Sequence, residues 1–226
     1  MQTRDELPFL EAALQDIIEV ADKPDNLQSV FAILNASHGS PLAFKAREKL
    51  LKNPDIAEMA KLRYWGEWPK LDRLLELPEG SLGHCLAVKL MAEGVGELPK
   101  PEGIESLNDA HQYIQLRSRA GHDLWHLVLN IPTTLAGEVA IVAVAARQLR
   151  YPSTVLVLAA ELLSRCHLKD QEPDLAEAIA FGLQLGGVCA PLLAQRWEEG
   201  WNRPLSEWRH GLGITQALEA SPFGRP

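Results

Sequence analysis

His122-Asp123-Leu124-Trp125-His126, with Glu138 after eleven further residues, carries the side chains that hold divalent metals: imidazole nitrogens and carboxylate oxygens. On a helix at about 100° per residue, His122 and His126 stand about 40° apart and one turn apart in height. Asp123 falls about 60° from His126, on the same side. Asn130-Ile131-Pro132 then breaks the helix, and a tight turn there folds the next helix back. Counted from Ile131, His126 is five residues away, His122 nine and Glu138 seven, so Glu138 returns to a height between the two imidazoles. Glu138 also sits in an apolar run of Leu135, Ala136, Val139 and Ala140, where an unpaired carboxylate is costly. Two imidazoles and one or two carboxylates fit zinc or ferrous iron better than calcium, with magnesium a further choice. Three protein ligands leave positions open for water or substrate. Asp123 has three readings here: a fourth ligand, a hydrogen-bond partner of a histidine, or a general base. The bland alternative is a chance histidine pair and a structural His–Glu contact.

The elements needed to place these residues read as helical almost throughout. Leu10, Leu14, Ile17 and Ile18 recur at helical spacing up to Lys23-Pro24-Asp25. Further helices are expected over Leu27–Leu34, Pro41–Leu51, around Ile56–Met59, and from Ser81 or Leu82 to Met91. Gly94–Gly103 reads as a loop. After it come Ser106–Leu129 bent near Gly121, Pro132–Arg150 with Pro132 in the first turn, Thr154–Arg165, and Leu175 to about Trp197. Alternating strand runs are absent. The expectation is one all-α domain over residues 1–226, a multi-helix bundle with an apolar groove beside a helix-hairpin metal site.

Composition bounds the function. The 226 residues hold 30 acidic against 22 basic side chains, a net charge of -8, which argues against a general nucleic-acid binder. Cys85, Cys166 and Cys189 are scattered and odd in number, as in a reducing compartment, and do not make a thiolate zinc site. The N-terminus lacks the order of a secretory signal, and Val139–Ala146 and Val155–Ala160 are too short to span a membrane. A soluble, cytoplasmic protein is expected, with contact at the inner face of a membrane left open.

Two known metal patterns compete for the motif. A zincin would need glutamate where Asp123 stands, one methylene longer. An HD-type phosphohydrolase would use His84 and Asp170 or Asp174, and would leave His126 and Glu138 without a role. Arg117 and Arg119 precede His122 and are suited to a substrate carboxylate or a phosphate, or to solvent. Tyr113 is placed on the same side. Leu135, Val139 and Val142, in a run mixing alanine with branched residues, are candidates to line an apolar groove, or an ordinary helix contact or dimer face. Trp65 and Trp68, with Trp197, Trp201 and Trp208, cap the core or anchor at a membrane interface. Cys166-His167 has no matching ligand pair, and His38, His111 and His210 are ordinary surface or structural histidines.

Four ordered segments carry a resemblance. Gly121-His122-Asp123-Leu124-Trp125-His126 is followed by Ile131-Pro132-Thr133-Thr134 and Gly137-Glu138. Upstream stands Leu77-Pro78-Glu79-Gly80-Ser81-Leu82-Gly83; downstream stand Arg196-Trp197-Glu198-Glu199-Gly200-Trp201 and Pro204-Leu205-Ser206-Glu207-Trp208-Arg209. From about Val30 to Ile214 the chain resembles the coenzyme Q (ubiquinone) biosynthesis protein four family. The resemblance implies metal ligands at His122, Asp123, His126 and Glu138, and a catalytic part for Asp123. It implies a polyprenylated aromatic substrate and oxidative decarboxylation, a ring carboxylate being replaced by a hydroxyl. It also implies work beside other quinone biosynthesis proteins, as an enzyme or as a non-catalytic prenyl-lipid-binding scaffold that organises them. A homodimer and peripheral membrane contact complete the expectation.

Overall fold

Short capped helices succeed one another along the chain. The structure, a computed structural model, describes residues 8–23, 28–30, 32–33, 39–94, 109–164 and 174–225. Among these, helices alternate with turns, and the nearest approach to a strand is an isolated antiparallel bridge between Ser81 and Pro204. The all-α expectation holds. His38, the expected loop from Val95 to Gly103, and the segment with Cys166, His167 and Asp170 lie outside the described residues. The described residues group into two compact units, each assembled from separated stretches of chain.

One unit comprises residues 1–50, 131–188 and 220–224. It contains α1 (Pro8–Asp22), α2 (Pro41–Leu50), α8 (Leu135–Leu149), α9 (Pro152–Ser164) and α10 (Leu175–Val188). Val20, Ile33, Val157 and Ala160 form a buried cluster, with Val142 and Leu156 packed against it. Along α8 and α10 the backbones approach closely because the facing residues are small. A Cβ on Gly182 would overlap the Ala140 carbonyl and come within 2.8 Å of the Ala143 Cβ. The alanines of α8 therefore draw two helices together over this stretch.

Two helix limits in this unit differ from expectation. Pro132 does not open α8: Thr134 is the N-cap, its hydroxyl accepting from Gly137 N at 3.3 Å, so the helix begins at Leu135. At the other end, α10 stops at Val188 rather than near Trp197, because Pro191 has no N–H to continue it. Pro152, by contrast, does stand at a helix start, two residues before the expected one.

The second unit comprises residues 51–130, 189–219 and 225–226. It holds α3 (Pro54–Leu62), α4 (Leu71–Leu75), α5 (Leu82–Ala92), α6 (Ala110–Ala120), α7 (His122–Val128), α11 (Leu205–Gly211) and α12 (Thr215–Leu218). Two 3₁₀ turns, Leu192–Ala194 and Trp197–Glu199, precede α11. Asn53 caps α3 through its side chain, accepting from Asp55 N at 3.0 Å, and Ser81 caps α5, accepting from His84 N at 3.3 Å. The C-terminal stretch is tied to α5 by Leu82 N donating to Arg203 O (2.9 Å) and Gly83 N to Trp201 O (2.8 Å). Its centre is aromatic. Trp65 stacks on Trp68 at 5.7 Å, Trp201 meets Trp68 edge-on at 5.4 Å, and Trp197 lies 4.8 Å from Trp208. Trp197, Trp201 and Trp208 are buried, so these tryptophans cap a core.

Candidate metal centre

The expected long helix from Ser106 is described from Ala110 onward and is broken once, at Gly121, where α6 hands over to α7. Gly121 N still donates to Arg117 O at 3.0 Å, and Trp125 N to Gly121 O at 2.9 Å, so the handover is a bend rather than a loop. A side chain at Gly121 would meet the Trp125 indole nitrogen at 2.9 Å, which explains the glycine. At the far end of α7, Asn130 adopts φ 52°, the left-handed conformation that ends a helix and reverses the chain. Thr134 then starts α8, and Glu138 falls in its first turn, its N–H donating to Thr134 O at 2.8 Å.

The helical spacing brings the two histidine rings together as the sequence requires. Their centroids are 4.7 Å apart, and Nε2 of His122 lies 3.2 Å from Nε2 of His126. His126 is buried and His122 half-buried. Two ligand nitrogens, each about 2.0–2.1 Å from one tetrahedral metal ion, would be about 3.3 Å apart. The donor spacing thus suits a shared ion. His122 and His126 lie in the second unit, and Glu138 stands in the first turn of α8, in the first unit. A neutral imidazole pair plus one carboxylate fits zinc or ferrous iron by donor type. Asp123 stands half-buried in the first turn of α7, where its charge suits the helix N-terminus.

The other singled-out residues have definite surroundings. Arg117 is buried, and its guanidinium is engaged: both terminal nitrogens donate to the Glu198 carboxylate (Nη2 to Oε2 2.9 Å), and Nη2 donates to Gln195 O at 2.7 Å. A substrate anion there would have to displace Glu198, which also accepts from Trp68 Nε1 at 2.9 Å. Sequence reasoning did not find Glu198 as the partner, since it lies 81 residues away; the signal was its place in the Arg196–Trp201 segment. Tyr113 is buried, its hydroxyl donates to Tyr64 O at 2.9 Å, and burial pushes its pKa up to about 12. It is a neutral hydrogen-bond donor. Val139 is buried, Val142 packs on the Val20 cluster, and Leu135 is half-buried. The residues of the phosphohydrolase alternative have local roles: His84 Nδ1 lies 3.1 Å from Leu75 O, and Asp174 accepts from Ala176 N at the start of α10. Cys85 is half-buried, and Cys189 is buried with its Sγ donating to Ala190 O at 3.2 Å.

Fold and donor set together define an all-α protein with a histidine pair spaced as two ligands of one divalent metal would be. Residues 23–217 match the family described as Coenzyme Q (ubiquinone) biosynthesis protein Coq4, and the chain belongs to that family. Relatives named ubiquinone biosynthesis protein COQ4, mitochondrial, include one from Lachancea thermotolerans, 29% identical over 78% of this chain and 56% of that protein. Another, from Talaromyces stipitatus, is 29% identical over 82% of this chain and 65% of its own length. A homologue from Danio rerio is 28% identical over 82% of this chain and 69% of that protein. The chain thus spans little more than half to about two-thirds of the length of these relatives. A crystal structure of a Nostoc punctiforme protein, provisionally named a ubiquinone biosynthesis protein, superposes with a TM-score of 0.77 at 26% identity, covering 95% of this chain and 99% of that one.

Proposed function

We propose that this chain acts in coenzyme Q biosynthesis as a metal-dependent enzyme that replaces the ring carboxylate of a polyprenylated hydroxybenzoate by a hydroxyl. The observation that carries the reading is the His122–His126 pair, set inside the region that matches the family, with Glu138 assigned as the carboxylate ligand. In the net reaction the ring-to-carboxylate bond breaks, carbon dioxide leaves, and a ring carbon–oxygen bond forms. This is a two-electron oxidation: water supplies the ring oxygen, and dioxygen takes the two electrons and leaves as hydrogen peroxide. A divalent ion held by the group would supply Lewis acidity toward the ring oxygens and, as iron, redox capacity. Asp123, half-buried in the α7 first turn, is assigned proton transfer at a ring oxygen, or a fourth ligand position when metal binds. Buried His126 fixes the inner side of the group, while half-buried His122 faces the approach of the ring.

The prenyl tail is assigned to the start of α8, where Leu135 keeps part of its side chain open ahead of Val139 and Val142. No helix among the described residues is long and apolar enough to cross a membrane. Exposed Leu14 and Ile18 on α1, and Val155, Leu162 and Leu163 on α9, supply apolar surface for a membrane, a second copy or partner enzymes.

The test is to load the chain with Fe²⁺, add a prenylated hydroxybenzoate labelled at the carboxyl carbon under oxygen, and follow labelled carbon dioxide and the hydroxylated ring by mass spectrometry. Release of label with gain of one ring oxygen supports the reading. Metal and lipid binding with neither product would leave a prenyl-lipid-binding scaffold in its place.

A further inference from the structure

Helix α7 has seven residues, too few to hold itself together in water, and the carbonyls of its last turn have no partner within the helix. Its N-terminal end continues α6 through Gly121. Its C-terminal end has no such continuation, because the chain reverses at Asn130. Two of these carbonyls are met from far along the sequence, Leu127 O in addition to accepting from Asn130 N at 3.3 Å. Arg209 Nε donates to Val128 O at 3.1 Å, and Arg209 Nη2 donates to Leu127 O at 3.3 Å. These are the two residues directly after His126.

Arg209 is itself held in place. Its neighbour Trp208 is buried, donates from Nε1 to Gly200 O at 3.2 Å and packs on Trp197, while the Arg209 carbonyl accepts from Ile214 N at 3.1 Å. Half-buried Arg209 makes no ion pair among the described residues, so its charge is directed at the negative end of the α7 dipole.

We propose that Arg209 is a positioning residue for the metal centre. It clamps the last turn of α7 and so sets His126, the histidine at that end, against His122. The inference rests on the metal reading above and adds a part for the C-terminal segment in it. Loosening the clamp moves His126 more than His122, since His122 sits at the end continuous with α6.

Full-length wild type, Arg209→Gln, Arg209→Lys and His126→Ala are titrated with Co²⁺ alone, recording affinity and the visible ligand-field bands, with helicity followed by circular dichroism. Arg209→Gln should weaken Co²⁺ binding about ten-fold or more, the scale seen when partners that orient ligands are removed. Its bands should shift, while Arg209→Lys, which keeps the charge and one donor, recovers part of both. Folded Arg209→Gln with wild-type affinity and bands overturns the inference and leaves the metal reading standing. Wild type that binds no better than His126→Ala overturns both. Should Arg209→Gln fail to fold, Arg209→Lys decides: affinity and bands identical to wild type count against the clamp.

Discussion

At the scale of single residues, what matters is which polar groups need a partner. Two imidazole nitrogens 3.2 Å apart can share one proton or one metal ion. His126→Ala should therefore lower metal content measured by elemental analysis at least ten-fold in metal-saturated preparations; unchanged occupancy would remove His126 from the ligand set. Glu161 poses the opposite case. It is 3% exposed on α9, its Oε2 has no hydrogen-bond partner among the described residues, and burial raises its pKa from 4.5 to about 7. Between those values the folded chain keeps a proton that the unfolded chain has lost. Stability then falls as pH rises through that window, by on the order of 1 kcal/mol per pH unit, and levels off above it. Glu161→Gln should melt above wild type at pH 8, with the gap closing toward pH 4. Parallel melting curves across that range would show that the carboxylate is satisfied.

At the scale of elements, the donor geometry follows from where helices stop. The His122–His126 relation was legible in the sequence because both residues share one short helix, and helical periodicity alone sets their angle. The start of α8 was less so, since Pro132 suits a first turn but Thr134 supplies the hydroxyl that ends the competition. Gly137 then packs where a Cβ would overlap the Pro132 carbonyl oxygen. Gly137→Ala should cost about 1–3 kcal/mol in denaturant unfolding, the usual scale for overpacking, and weaken metal binding through its neighbour Glu138. Unfolding and affinity both like wild type would show that the turn can yield. The Arg117–Glu198 pair is the corresponding joint of α6 with the second 3₁₀ turn. Glu198→Gln leaves a buried guanidinium short of its counter-charge and should lose about 3–5 kcal/mol. An exposed pair such as Arg73–Glu76 gives a control whose loss should leave unfolding near wild type.

At the scale of the whole molecule, the proposed metal binding would be part of folding, since the unfolded chain holds no preformed site. Saturating Zn²⁺ or Fe²⁺ should raise Tm, by mass action on the folded state, and a chelator should reverse the rise. In His126→Ala the shift should vanish; an equal shift there would place the ion elsewhere.

The sequence by itself determined the all-α class, the helical face carrying both histidines, and the family. These rest on short-range periodicity and on motifs a few residues long. Only the tertiary structure decided that Arg117 is occupied by Glu198, that the small residues of α8 meet Gly182, and that Arg209 reaches the carbonyls beside His126. Those partners lie some forty to eighty residues apart, and no local pattern encodes them. Burial chooses them, because a desolvated charge or carbonyl takes whichever complementary group the packed chain brings within reach.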